Sequence, residues 1–283
     1  MNNKLYLMTA ILAFASVGAL LIQPTLASAQ TKSGILDPTS GGSTSTATKK
    51  SATAAATDLP AKSLSCGEVI KESVKLSANL DCKSDGLIVG ADGITIDLNG
   101  HAINGPGPKS SKIGVMLATS SGVTIQGLGI ISGFQAGILN TGGQDNNIVQ
   151  VNFDGNQIAI FNTGAKNTDI EKNMMTSNDI GFATHSSTGT TLTNNIFTDN
   201  TLAGATLVNS GENKVDTNII QGSNNGIFVD GQSTSNKITS NTLKGNTGVD
   251  LNNANGLPIN INKNVFTGNM CSTSVPDGLC SNP

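Results

Sequence analysis

A repeat of 22 or 23 residues runs through the second half of the chain, and it constrains the fold more than any other feature. One apolar position recurs at every repeat, and a second apolar position follows five residues later. A fixed period of this length is typical of solenoids, in which stacked repeats bury a continuous core. The two apolar rows are Ile148, Ile170, Leu192, Val215, Ile238 and Ile261, followed by Phe153, Met175, Phe197, Ile220, Leu243 and Phe266.

Two rows of asparagine accompany the apolar rows and keep nearly the same spacing. Asparagine tolerates left-handed backbone at tight corners, and stacked amides can hydrogen-bond from one coil to the next. We therefore interpret both rows as structural. They are Asn173, Asn195, Asn218, Asn241 and Asn264, and Asn156, Asn178, Asn200, Asn224, Asn246 and Asn269, with Asn224 displaced by one position.

The apolar runs within each repeat are too short to form helices. Short alternating runs such as 179–182 are interrupted every few residues by Asn, Gly or Thr, and leave no room for a helical turn. Three short strands per coil fit the spacing. The sequence predicts an all-β, right-handed parallel β-helix of about eight coils, including earlier coils around 93–100 and 122–126, with a length on the order of 40 Å.

Four cysteines lie outside the regular repeats, at Cys66, Cys82, Cys271 and Cys280. Two bracket the start of the repeats and two lie beyond their end, so we predict the disulfides Cys66–Cys82 and Cys271–Cys280 as staples of the two ends. The alternatives are free thiols or a zinc site of all four cysteines, for which no C-x2-C pair is present.

The N-terminal region divides into two parts before the solenoid begins. Residues 1–29 have the pattern of a signal peptide, with Lys4, an apolar run and a small-residue cleavage site at 27–29. An uncleaved anchor is the alternative. Residues 30–62 are rich in Ser, Thr and Ala and predict a disordered linker, while 63–283 form the β-helix with its two caps. We expect a secreted protein, at the cell surface, outside the cell or in the periplasm, without a membrane span in the mature chain.

The opening of the solenoid carries a family resemblance. It includes Cys66-Gly67, the run 79–82, and the longer run Gly-Ala-Asp-Gly-Ile-Thr-Ile-Asp-Leu-Asn-Gly-His at 90–101. Residues 64–270 resemble secreted right-handed β-helix repeat proteins of the pectin-lyase-like group, which includes NosD-like periplasmic proteins. The resemblance implies either a carbohydrate-active enzyme or a glycan-binding surface protein, and a shared fold alone does not choose between them.

Charge and composition limit the classes of partner and the residues that could be catalytic. All 16 basic residues are Lys, and loss of Lys4 with the signal peptide changes the net charge from −3 to −4. Without a basic cluster, we expect no nucleic-acid partner. The candidate catalytic residues are Glu171, Asp216 and His101. Glu171 and Asp216 occupy the same position of the repeat in coils two apart, so their backbones should lie roughly 10 Å from each other. The alternative is that they are solvated acids and a turn histidine.

Metal binding has one possible set of donors, His185 with Met174 and Met175. Met175 belongs to an inward row, so we expect no metal site and no cofactor. The composition favours a non-catalytic β-helix that binds extracellular polysaccharide or a cell-surface partner. The alternatives are a lyase or hydrolase acting on a weakly charged polysaccharide, and a NosD-like accessory protein of metal maturation.

Overall fold

The computed structural model describes residues 59–254 and 259–281. The predicted signal peptide and nearly all of the predicted linker lie outside these residues. The described chain is an all-β parallel solenoid of about nine turns, one more than expected. Its single described helix, α1, has four residues, Ile259–Asn262.

Three parallel sheets run the length of the solenoid, and each coil contributes one strand to each sheet in turn. Sheet 1 has ten strands: β1 (Ala61–Lys62), β3 (Val74–Leu76), β6 (Thr95–Asp97), β9 (Thr124–Gln126), β12 (Asn147–Val149), β15 (Asp169–Glu171), β18 (Thr191–Thr193), β21 (Lys214–Asp216), β24 (Lys237–Thr239) and β27 (Val265–Thr267).

Sheet 2 contains the longest strands, of up to six residues. Its members are β2 (Glu68–Ile70), β5 (Leu87–Val89), β8 (Ile113–Ala118), β11 (Ala136–Thr141), β14 (Ile158–Thr163), β17 (Ile180–His185), β20 (Ala203–Val208), β23 (Asn225–Val229), β26 (Val249–Asn253) and β28 (Ser274–Val275).

Sheet 3 has eight short strands. They are β4 (Leu80–Asp81), β7 (Ala102–Asn104), β10 (Ile130–Ser132), β13 (Asn152–Asp154), β16 (Met174–Thr176), β19 (Ile196–Thr198), β22 (Ile219–Gln221) and β25 (Thr242–Lys244).

The central core is made by the middle residue of each three-residue strand. Ile148 to Ile238 of the first apolar row stack in sheet 1, and Phe153 to Leu243 of the second row stack in sheet 3, all at most 2% exposed. Because side chains alternate between the two faces of a strand, the neighbours of each buried residue point outward.

The expected continuation of both rows into the last coil is wrong. Ile238 pairs with Phe266 rather than with Ile261, which is 56% exposed in α1. The segment that contains α1 adds five residues to this coil, so equivalent positions lie 28 residues apart, and Asn241 pairs with Asn269 rather than with Asn264.

The asparagine rows form buried ladders, which confirms their structural role. The amide oxygen of Asn195 accepts hydrogen bonds from the backbone N–H and the amide of Asn173, at 2.9 and 3.1 Å. Its amide nitrogen donates to the carbonyl of Ile170 and to the amide oxygen of Asn218. In the second row, Ser223 occupies the place expected for Asn224, and the ladder is interrupted there.

The expectation that the ladder asparagines themselves adopt left-handed backbone is wrong for the first ladder. The left-handed residue lies one position before each asparagine. Lys172, Asn194, Thr217 and Ser240 have φ between 55° and 57°. The ladder asparagines therefore stabilise the corner through their amides, while the residue before each of them adopts the left-handed conformation.

Both predicted disulfides are confirmed. Cys66 and Cys82 join at a Cα–Cα distance of 5.6 Å, and Cys271 and Cys280 join at 5.3 Å. Each bond lies near one end of the solenoid, where the last coil has no neighbour to complete its pairing.

Candidate binding face and carboxylate sites

The candidate carboxylates lie on the outward face of sheet 1. Glu171 pairs in register with Thr193, and Thr193 pairs with Asp216, so the three residues form one column. Two coils separate the carboxylates, about 10 Å at the backbone at one strand spacing per coil. This is the placement expected from the repeat.

Each carboxylate has its own ammonium partner. Glu171 lies 2.9 Å from the Nζ atom of Lys172, and Asp216 lies 3.0 Å from that of Lys214. Burial by itself raises the pKa of Asp216, but hydrogen bonds from the Thr239 hydroxyl and from Lys214, with the lysine charge, outweigh burial and lower that pKa. Asp216 is therefore held as a carboxylate, which suits a base or a ligand contact but not a general acid.

His101 is far from these carboxylates. It lies in the turn between β6 and β7, where its Nδ1 atom is 3.3 Å from the amide oxygen of Asn79. Strand pairing places its coil three coils before that of Glu171, roughly 14 Å along the solenoid. The structure therefore does not bring the three candidate catalytic residues together.

The outward face of sheet 3 carries a column of exposed aliphatic side chains at the first position of its strands. Ile130, Met174, Ile196 and Ile219 are 38–45% exposed, and Met270, which continues the column beside Thr242, is 54% exposed. Asn152 occupies the place between Ile130 and Met174. Water-exposed hydrocarbon in register over successive coils is a feature of binding surfaces.

A polar column runs beside the aliphatic one, two residues further along each strand and roughly 7 Å away. Within the described chain, the hydroxyls of Thr176 and Thr198 and the amide of Gln221 make no side-chain hydrogen bond, so they are free to bind a ligand. The column consists of Asn104, Ser132, Asp154, Thr176, Thr198, Gln221 and Lys244.

The sequence contains a signal for this face, although none of the candidate catalytic residues lies on it. Apolar doublets recur as Ile130-Ile131, Met174-Met175, Ile196-Phe197 and Ile219-Ile220. Because strand residues alternate in direction, one member of each doublet has to face outward.

The chain is similar to a described protein family and to solved structures. A protein-family model described as "Periplasmic copper-binding protein (NosD)" matches residues 89–278, which is more than half of the chain. The chain belongs to the NosD family. NosD proteins are periplasmic by that description, and disulfides persist in oxidising compartments, so this NosD-family protein is periplasmic or extracellular.

The described residues of this NosD-family chain do not offer a copper site. Met175 is fully buried in the core, Met174 points outward from sheet 3, and His185 lies at the end of β17 in sheet 2. All four cysteines are in disulfides, and no group of three His, Cys, Asp or Glu residues comes together in the described part. Within the described part of the chain, soft ligands therefore do not converge at a point where a copper ion could be held.

Two solved structures are similar to this chain at low sequence identity. The Dettilon tailspike protein (gp208) is 13% identical with a TM-score of 0.38, over 65% of this chain and 50% of its own. Geobacillus virus E2 ORF18 is 13% identical with a TM-score of 0.33, over 74% and 52%. The NosD-family chain thus spans about half the length of these structures, and at these scores the likeness carries no functional argument. No curated protein matches the chain.

The described residues contain no helix that is long and apolar enough to cross a membrane.

Proposed function

We propose that this NosD-family protein is a non-catalytic β-helix that binds an extended, neutral or weakly charged polysaccharide along the outward face of sheet 3. The observation that carries the proposal is the pairing of an exposed aliphatic column with a column of hydroxyl and amide side chains. The polar column has one member in each coil, and the aliphatic column has one in each coil from Ile130 to Met270 except where Asn152 and Thr242 replace it.

A sugar chain presents two kinds of surface, C–H faces and hydroxyl edges. A chain lying along the solenoid axis would place C–H faces on side chains such as Met174, Ile196 and Ile219. Its hydroxyls would then reach Thr176 and Thr198. Each hydrogen bond contributes about 0.5–1.5 kcal/mol net, so useful affinity requires several coils to engage one polymer together.

The charge of the face favours weakly charged polymers. Between Ile130 and Gln221, the outward positions of the sheet 3 strands contain one charged residue, Asp154. An anionic polymer would lack cationic partners over this stretch, because Lys244 lies in the last strand of the sheet. The chain has no arginine for bidentate binding of carboxylates.

Binding to soluble and insoluble polysaccharides tests the proposal. Ile196→Asp places a charge in the centre of the aliphatic column, and we expect at least a tenfold loss of affinity, equivalent to about 1.4 kcal/mol. Thr191→Asp is the matched control, since it places the same charge on the outward face of sheet 1. Equal affinities for both variants, or no binding to any polymer, would refute the sheet 3 site.

The enzymatic alternative is examined with the same polymers. Release of reducing ends or unsaturated products would contradict the non-catalytic proposal, and Glu171→Gln and Asp216→Asn would then identify the carboxylate responsible. The accessory role in metal maturation has the support of the family description alone. Calorimetric titration with copper tests it, and we expect no stoichiometric binding because the described soft ligands lie on different faces.

A further inference from the structure

The exposed aliphatic column of sheet 3 is unbroken over three consecutive coils, in strands β16, β19 and β22. Asn152 precedes this stretch and Thr242 follows it, so a polar side chain bounds it at either end. The same three strands supply the polar column with a hydroxyl or an amide at their third position. We name these outward side chains the platform: Met174, Ile196 and Ile219 with Thr176, Thr198 and Gln221.

The platform is only two side chains wide. Each of its strands has three residues, and the middle one, such as Phe197, is buried in the core. On either side of the strand the chain turns at fully buried ladder asparagines, as at Asn195 and Asn200. The two columns lie roughly 7 Å apart. A face of this width accommodates one polymer chain lying along the solenoid axis rather than several chains side by side.

The step along the platform is one strand spacing, about 4.8 Å, and in-register pairing keeps the side chains in a straight column. In a β-1,4-linked chain of glucose, xylose or N-acetylglucosamine, both linkage bonds of each sugar are equatorial. The chain is therefore extended, and it advances by about one strand spacing per sugar. Its repeat along the axis thus matches the repeat of the platform.

The chemistry of such a chain also matches the two columns. Its rings carry axial C–H bonds on both faces, so a ring that is turned over relative to its neighbour still presents hydrocarbon to the aliphatic column. Successive rings would cover Met174, Ile196 and Ile219 and remove this hydrocarbon from water. The hydroxyls lie along the edges of the rings, where they would reach Thr176 and Thr198.

We propose that the platform recognises three consecutive sugars of a single β-1,4-linked chain with equatorial linkages, one sugar per coil. This inference rests on the proposed polysaccharide-binding function of sheet 3, and it adds the linkage and the length of the site. Chains of α-1,4-linked or β-1,3-linked glucose curve. Fewer of their rings can therefore lie on a straight column at the same time.

Linkage isomers of one hexasaccharide test the specificity. The δ-methyl groups of isoleucine are isotope-labelled, and the NMR signals of Ile196 and Ile219 are followed during titration. The ligands are glucose hexasaccharides with β-1,4, α-1,4 or β-1,3 linkages, together with the β-1,4-linked hexasaccharides of xylose and N-acetylglucosamine. We expect at least one β-1,4-linked ligand to bind about tenfold or more tightly than the α-1,4-linked and β-1,3-linked ones.

Lengthening the platform tests the number of sugars. In the parent chain, affinity should level off at three sugars. Asn152→Ile joins Ile130 to Met174 and makes the aliphatic column continuous over five coils. It should bind the β-1,4-linked pentasaccharide about threefold or more tightly than the parent chain does, because two further rings gain an aliphatic contact. Thr242→Ile extends the column at its other end, to Met270, and should act in the same way.

Asn147→Ile is the matched control, since it adds the same side chain to the outward face of sheet 1 in the same coil. It should leave the dependence on length unchanged. Equal affinities for all linkages, or a dependence on length that neither Asn152→Ile nor Thr242→Ile alters, would overturn the inference. If Ile196→Asp still abolished that binding, the proposed sheet 3 site would stand without it. The absence of binding to any oligosaccharide or polysaccharide would overturn both.

Discussion

Replacement of Asn195 by alanine probes the ladder that holds the coils together. Asn195 is fully buried in a central coil. Its removal takes the acceptor from the backbone N–H of Asn173 and a donor from the carbonyl of Ile170, at 2.9 Å each. Each buried polar group left unpaired costs about 1–3 kcal/mol. Because the neighbouring amides can rearrange in part, we expect Asn195→Ala to lower the free energy of unfolding by about 3–5 kcal/mol.

The assay is chemical denaturation followed by far-UV circular dichroism, because the solenoid has no Trp or Tyr after residue 6. Asn147→Ala is the matched control, since Asn147 lies half-buried on the outward face of β12 and should change stability by less than about 0.5 kcal/mol. A second variant, Asn195→Asp, keeps the side-chain oxygen that accepts from the backbone N–H of Asn173. It loses the amide N–H that donates to the carbonyl of Ile170. A loss below about 1 kcal/mol for Asn195→Ala, or equal losses at both asparagines, would refute the ladder reasoning.

Three further predictions follow from the packing, the disulfides and the charges. Gly181→Ala should destabilise the fold by about 1–3 kcal/mol in the same denaturation assay, since a Cβ atom there would lie 2.5 Å from a Phe197 ring carbon; an unchanged midpoint would contradict this. Replacing Cys66 and Cys82 by Ser should lower stability by about 3 kcal/mol and increase hydrogen exchange in the first coil before the central coils; uniform exchange would argue against an end staple. Thr239→Val should raise the pKa of Asp216, measured by carboxyl NMR titration, because it removes the donor and leaves the burial. Because the pKa of Asp216 is lowered in the folded protein, ionised Asp216 stabilises the fold at pH values above its unfolded pKa. This stabilisation should vanish as the pH falls through the folded pKa. The difference in stability between the parent chain and Thr239→Val should vanish over the same range.

The central coils could be predicted from sequence because the inside of a solenoid imposes a strict requirement. Every inward position has to be apolar, and every ladder position needs an amide or hydroxyl, so Ile170 and Asn195 recur with the coil. The paired cysteines could be assigned for a related reason, since they lie outside the repeats, at the ends where coils lack neighbours.

The last coil shows where this reasoning stops. A spacing of 23 residues places Ile261 after Ile238 as plausibly as 28 residues places Phe266, and both are apolar. Hydrogen bonds across the ladder decide the register, because Asn241 can reach only one asparagine in the next coil, and that residue is Asn269.

The sequence by itself determined the coil, its core rows and its disulfide-bonded ends. Only the tertiary structure decided that the outward members of the doublets, such as Ile196, lie in register as one exposed column, and that Phe161 lies in a second cluster outside the core. The physical reason is that water tolerates almost any side chain at an outward position, so no repeat is enforced there. The surface proposed to bind polysaccharide emerges only when successive coils are stacked in register.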